Sequence, residues 1–154
     1  MTADDRLADL ARHLDSMPPV RAMAIRIDGC DAAGLALSAP LAANVNDKGC
    51  AFGGSLTSLM TLAAWALVDL RLAQAGLTGA EIYVQDSTVR YLAPVFEDLR
   101  THSRLADAEP GWETFIDTFR SRGRARASLL AEVRLADGRV AASFEGRFVA
   151  KQPA

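Results

Sequence analysis

The sequence predicts an α+β domain in which an antiparallel sheet of five to six strands wraps one long central helix. Three observations predict it. The run Ser55 to Ala75 is apolar on almost every face, the pattern of a helix buried on most sides. Four segments of strand character follow it. Two shorter ones precede it, on either side of a Gly-containing turn. Antiparallel strands with segregated helices belong to the α+β class.

The elements read in order as follows. Residues 3–16 form an amphipathic helix, with Leu7, Leu10, Ala11 and Leu14 at i, i+3, i+4 and i+7. Thr2 and Asp5 have capping-box spacing, and Pro18 and Pro19 stop the helix. From Val20 to Asp28, Met23, Ile25 and Ile27 alternate with polar or small residues, which predicts a half-buried strand. Gly29 to Gly34 is a turn, and Leu35 to Ala39 returns as the second strand of a hairpin. Pro40 to Gly54, rich in Asn and Gly, is a loop. The long helix spans Ser55 to Ala75 with Gly76 as its C-cap, and about 20 residues make it roughly 30 Å long. Strands are then predicted over Glu81–Val95, Leu99–Ala106, Arg124–Ala136 and Arg139–Ala150. Asp137-Gly138 between the last two is the strongest short hairpin signal in the chain. Trp112 to Arg120 reads as a short helix or turn. No repeat or linker divides the chain, so residues 1–154 read as one domain with its core over 20–150.

Composition narrows the function. The chain has 154 residues, 17 basic and 19 acidic, and half of its residues are hydrophobic. That apolar content and a net charge of −2 rule out disorder as the dominant state. The near-neutral balance argues against a dedicated nucleic-acid binder. Cys30 and Cys50 make no disulfide framework and read as reduced thiols, which suits a cytoplasmic protein. The acidic start Met1 to Asp5 does not read as a signal peptide. The most apolar run, Leu56 to Leu72, reads as too short and too interrupted by Asp69 and Arg71 to span a membrane.

One helix wrapped by such a sheet is the hotdog architecture. The sheet covers one face of the helix and leaves an edge strand and a pocket half-built. A homodimer would complete both, alone or as a dimer of dimers.

The densest chemical signal is the loop from Asn44 to Ser55, which enters the long helix through Gly53-Gly54. Glycine lets backbone approach a ligand closely. The first N–H groups of a helix have no internal partner and carry partial positive charge. Together they suit an oxyanion or thioester carbonyl; a tight loop with Asn-capped turns is the alternative reading.

The string Asn46-x-x-Gly49-x-x-Phe52-Gly53-Gly54 resembles the Asn-x-x-Gly-x-x-His-Gly-Gly signature of hotdog acyl-CoA thioesterases. A fuller set is similar to one branch: Ala39-Pro40-Leu41, Asn44, Lys48, Ser55-Leu56, Gln85-Asp86-Ser87, Tyr91-Leu92-x-Pro94, Gly123-Arg124-Ala125-Arg126 and Gly146-Arg147-Phe148-Val149-Ala150. That branch is the hotdog "putative thioesterase" domain family, also found fused to an acetyltransferase in some bacteria. The resemblance covers residues 18–151. It implies decarboxylation of malonyl-acyl carrier protein, which supplies acetyl primers for fatty-acid synthesis. It also implies no cofactor beyond the 4'-phosphopantetheine carried by the substrate.

The departures from the hydrolase pattern matter as much. Phe52 stands where hydrolases carry His, and Thr61 stands where they carry a helix carboxylate. Hydrolysis needs a group to activate water or to attack directly. Malonyl decarboxylation needs less: a stabilised enolate oxygen and a desolvated carboxylate. Asn46 is the expected main side-chain donor, Asn44 the second candidate, and Gly53 or Gly54 N–H the backbone partner.

The expected substrate-binding residues are Phe52, Ser55, Asp86, Ser87, Tyr91, Arg124 and Arg126. Asp86 either positions a water or Asn across the dimer, or is a buried structural carboxylate. Arg120, Arg122, Arg124 and Arg126 alternate, which in a strand puts them on one face, either to dock an acidic carrier or as a solvated surface. Tyr91 is expected to line the acyl pocket, and Trp65 and Trp112 to pack. A thiol mechanism at Cys50 lacks a base, since His13 and His102 lie far off in sequence. No Cys/His cluster has metal spacing.

Three functions follow: malonyl-thioester decarboxylation, thioester hydrolysis with Asp86 as base, and non-catalytic acyl binding by a dimer. Coenzyme A and acyl carrier protein are the alternative carriers.

Overall fold

The apolar run folds as one long helix, α3, from Gly53 to Gln74, in a computed structural model that describes residues 1–154. It starts two residues earlier than the sequence pattern predicts, because Gly53 and Gly54 form its first turn. Leu56, Leu59, Met60, Ala63, Leu67 and Leu70 are all buried. By composition and length α3 passes as a membrane span, contrary to the sequence reading. Its burial against the sheet, not its composition, marks it as a core helix. Each fully buried Leu here is worth roughly 2–5 kcal/mol against Ala.

Six strands wrap that helix in the order β1-β2-β4-β5-β6-β3, all pairs antiparallel. They span Arg26–Cys30 (β1), Leu35–Ala39 (β2), Glu81–Tyr91 (β3), Leu99–Leu105 (β4), Arg124–Arg134 (β5) and Val140–Lys151 (β6). This is the hotdog architecture expected. Alternation sets the two faces of the sheet. On β5, Ala125, Ala127, Leu129, Ala131 and Val133 point inward and are buried, while Arg124 and Arg126 point outward. Ser103 of β4 is fully buried and ties sheet to helix, its hydroxyl donating to the Ala63 carbonyl at 2.7 Å.

The N-terminal helix α1 covers Ala3–Asp15. Its capping box is complete: Thr2 Oγ1 accepts from Asp5 N–H at 3.1 Å, and Asp5 Oδ2 accepts from Thr2 N–H at 2.9 Å. Leu10 and Leu14 are its buried residues. His13 stacks on Trp65 of α3 with 5.3 Å between ring centroids.

Three readings of the sequence need correction. Pro18 and Pro19 start a helix, α2 (Pro18–Ala22), as well as ending the previous one. Proline suits the first helical turn, where its missing N–H costs nothing. The strand predicted from Val20 therefore begins only at Arg26, after Ala24 breaks the chain direction at φ 55°. The strand predicted to Val95 ends at Tyr91, since Pro94 has no N–H for a ladder. The short helix α4 runs from Trp112 to Arg122 and is closed by Gly123 at φ 69°, a left-handed cap that favours Gly. Arg120 and Arg122 thus belong to α4, and the predicted four-Arg strand stripe reduces to Arg124 and Arg126.

Two edges of the sheet differ. β1 is short, five residues, and lies beside α1. β3 is long, eleven residues, and all but Glu81, Ile82 and Val89 are exposed. Register places Val84, opposite buried Phe148, and Tyr91, opposite buried Ala142, on the inner face. Both are nonetheless exposed, so α3 leaves this part of the inner face uncovered.

Candidate active site at the start of the central helix

The loop between β2 and α3 is held by two asparagines in different ways. Asn44 is buried at 3% exposure. Its Nδ2 donates to the Met23 carbonyl at 3.0 Å and the Pro40 carbonyl at 2.8 Å. Its own carbonyl accepts the Phe52 N–H at 2.7 Å. Both amide hydrogens of Asn44 are thus spent inside the protein, so it anchors the loop and has no N–H to offer a ligand.

Asn46 is half-buried. Its Oδ1 accepts from the N–H groups of Lys48 (2.8 Å) and Cys50 (3.2 Å), an Asx-type turn that fixes the side chain. Its Nδ2 lies 3.3 Å from Cys50 Sγ, a weak acceptor. The second Nδ2 hydrogen has no acceptor in the chain. Cys50 is buried and packs as a wall beneath Asn46.

The start of α3 is uncapped. Phe52 occupies the N-cap position, and a phenyl ring accepts no hydrogen bond from the helix. The backbone N–H groups of Gly53 and Gly54 have no acceptor in the chain, whereas Ser55 N–H bonds the Phe52 carbonyl at 2.9 Å. Ser55 is buried behind them. Close approach explains Gly54, where a Cβ would meet the Phe52 ring at 2.5 Å; at Gly53 a Cβ would make ordinary contact with the Tyr91 ring at 3.6 Å.

A cleft of about 280 Å³ opens beside this helix start. Gly53 and Leu56 of α3 form one wall, and Tyr91, Leu92, Pro94 and Val95 the other. The loop after β3 is joined to the Asn46 loop by the Ala51 N–H on the Val95 carbonyl at 2.8 Å. No carboxylate, imidazole or ammonium lines the cleft. Thr61, at the position of the hydrolase carboxylate, bonds back to the Thr57 carbonyl at 2.8 Å. Such a site can hold a developing oxyanion in an apolar setting.

Asp86 and Ser87 part company. A bulge lies between Val84 and Asp86, and register then sets Asp86 opposite Arg147 and Ser87 opposite buried Gly146. Asp86 is therefore on the outer face, exposed, and not the buried carboxylate considered from sequence. Arg147 grips it at both oxygens, with Nε 2.8 Å from Oδ1 and Nη2 on Oδ2. The Arg147 hydrogen bonds, with its charge, hold the Asp86 carboxyl below the usual carboxylate range. Ser87 faces the inner side. Arg124 and Arg126 lie on the outer face of β5, and neither is in an ion pair. His102 is exposed on β4.

Sequence reasoning missed Thr57. Its Oγ1 sits 2.5 Å from the Tyr91 hydroxyl, which also donates to the Gly53 carbonyl at 3.4 Å. The available signal was its place one helical turn after Gly53.

A hotdog fold with an uncapped helix start and an apolar cleft defines the acyl-thioester-processing class. The family model described as "Putative thioesterase (yiiD_Cterm)" matches residues 7–152. The chain belongs to that family. Among solved structures it is similar to a protein of unknown function from Chlorobaculum tepidum TLS. That match has a TM-score of 0.88 and 28% identity, over 99% of this chain and 98% of that one. It is similar also to a "putative thioesterase" from Shewanella oneidensis, with TM-score 0.83 and 30% identity over 97% and 99%. A Pseudomonas aeruginosa protein shares the fold at TM-score 0.74 and 24% identity, over 95% and 96%. No curated protein sequence matches the chain.

Proposed function

We propose that this protein decarboxylates malonyl-acyl carrier protein to acetyl-acyl carrier protein, priming fatty-acid synthesis in the cytoplasm. One observation carries the reading: Gly53, whose N–H has no acceptor in the chain, lines a cleft without a general base, with the free Gly54 N–H next to it in the first turn of α3. Loss of carbon dioxide from a malonyl thioester leaves an enolate whose oxygen needs donors. Gly53 or Gly54 N–H and Asn46 Nδ2–H are the donors, and each is worth about 3–4 kcal/mol in a dry site. The apolar walls and Phe52 disfavour the malonyl carboxylate relative to neutral carbon dioxide. Phosphopantetheine arrives with the substrate, so no resident cofactor is called for.

Unpaired Arg124 and Arg126 suit an acidic carrier protein, or the phosphates of coenzyme A. The exposed inner face and free edge of β3 suit a second copy of the chain, which makes the working unit a homodimer or a dimer of dimers.

Thioester hydrolysis is the second reading, favoured by the family description. It would need a base, and Asp86 is committed to Arg147 on the other face of the sheet. The deciding experiment incubates the protein with malonyl-acyl carrier protein and weighs the carrier. Acetyl-carrier is the expected product. Free carrier thiol would overturn decarboxylation in favour of hydrolysis, and stoichiometric binding without product would mark a non-catalytic acyl binder.

A further inference from the structure

Decarboxylation leaves a second demand that oxyanion donors do not meet: the enolate carbon must receive a proton. The groups around the cleft that carry a transferable proton are few. The cleft lining holds no Asp, Glu, His or Lys. Cys50 is buried and turned to Asn46, and Ser55 is buried behind the helix start. Asp47 and Lys48 pair with each other in solvent. What remains is Tyr91, paired with Thr57.

The placement of Tyr91 is specific. The residue comes from the end of β3, yet its ring packs against Gly53. Its hydroxyl lies between Thr57 Oγ1 at 2.5 Å and the Gly53 carbonyl at 3.4 Å, within the first turn of α3. Tyr91 therefore stands beside Gly53, whose N–H is one of the two free donors. The residue remains 57% exposed, so its side chain is also in reach of solvent. A phenol held against the first turn of α3 and open to water is a proton conduit into an otherwise apolar cleft.

We propose that Tyr91 is the proton donor to the enolate carbon, with Thr57 holding its hydroxyl in place; the assignment rests on the decarboxylase reading. The step balances as follows. The bond from C2 to the carboxylate breaks, and carbon dioxide leaves. The bond's electron pair forms the C1–C2 double bond, and the carbonyl pair moves onto the thioester oxygen held by the N–H donors. As the enolate collapses, C2 takes the phenol proton and becomes the acetyl methyl group. The phenolate regains a proton from water, so the net uptake is one proton per turnover.

The test uses internal competition. Full-length protein is given malonyl-acyl carrier protein in a 1:1 mixture of H2O and D2O. The H:D ratio of the newly added hydrogen in the acetyl methyl is read by mass spectrometry, with recovered substrate weighed alongside to correct for prior exchange. That ratio reports the group that transfers the proton, whichever step limits the rate. Tyr91→Phe keeps the ring against Gly53 and removes only the hydroxyl. It is expected to change the ratio and to lower kcat about 10²-fold, the usual contribution of a positioned acid, with KM for the carrier unchanged. Thr57→Val is expected to move the ratio the same way by less, and it stands in if Tyr91→Phe does not fold. An unchanged ratio in folded variants overturns the proposal, even if kcat falls, because a structural Tyr91 would slow turnover without altering the donor. If wild-type protein releases free carrier thiol, it is the decarboxylase reading that fails.

Discussion

Asp86 of β3 and Arg147 of β6 are cross-strand neighbours on the outer face of the sheet, joined through both carboxylate oxygens. The pair depresses the Asp86 carboxyl below its ordinary value of about 3.9. A group depressed on folding stabilises the fold above its unfolded pKa, and that contribution is lost as pH falls through the folded value. A carboxyl-carbon NMR titration should place the Asp86 midpoint below that of exposed aspartates, and Arg147→Ala should return it to the ordinary range. An unshifted Asp86 in the wild-type protein would contradict the pairing. In the same protein Asp86→Asn should retain turnover, since this carboxylate faces away from the cleft.

The two loop asparagines predict opposite phenotypes. Asn46→Ala removes the donor together with the acceptor of the Lys48 and Cys50 N–H groups, and should cut turnover about 10²–10³-fold in a protein that still folds. Asn44→Ala leaves the Met23 and Pro40 carbonyls without their donor and should lower stability by about 1–3 kcal/mol in chemical denaturation. Near-full activity in Asn46→Ala would sink the donor assignment.

Charge reversal at the outer face separates docking from chemistry. Arg124→Glu combined with Arg126→Glu should raise KM for the carrier several-fold and leave kcat close to wild type. The effect should shrink as salt screens the attraction, about 10 Å of Debye length remaining at 0.1 M. Equal carrier affinity before and after reversal would count against this surface.

Sedimentation should show a mass of at least twice 16.4 kDa. Val84→Lys puts a charge on the exposed inner face of β3, opposite Phe148, and should shift the protein towards monomer. A monomeric wild-type protein would remove the homodimer from the reading.

The sequence carried the central helix, the hairpin at Asp137-Gly138 and the four strands of the second half, because each rests on a local period or turn. It marked the Asn44 to Ser55 loop as the candidate site on similar grounds: glycine and asparagine state their backbone roles directly. The α2 turn was illegible, since Met23, Ile25 and Ile27 alternate as well in a helix exit as in a strand. The roles of Asn44 and Asp86 were illegible for a different reason. Both depend on partners far along the chain, Met23 for one and Arg147 for the other, and on which side of a bulge a residue falls. Thr57 became visible only once Tyr91 was seen to reach across to it.

Phe52 shows how this chain divides selection between folding and work. A Ser, Asp or Asn at that N-cap would silence the free N–H groups and stabilise α3 by about 1 kcal/mol. The aromatic residue leaves that gain unclaimed and keeps the donors reactive. A screen that ranked variants by heat resistance alone would therefore enrich polar replacements at position 52, and its winners would be sturdier proteins with a blunted active site.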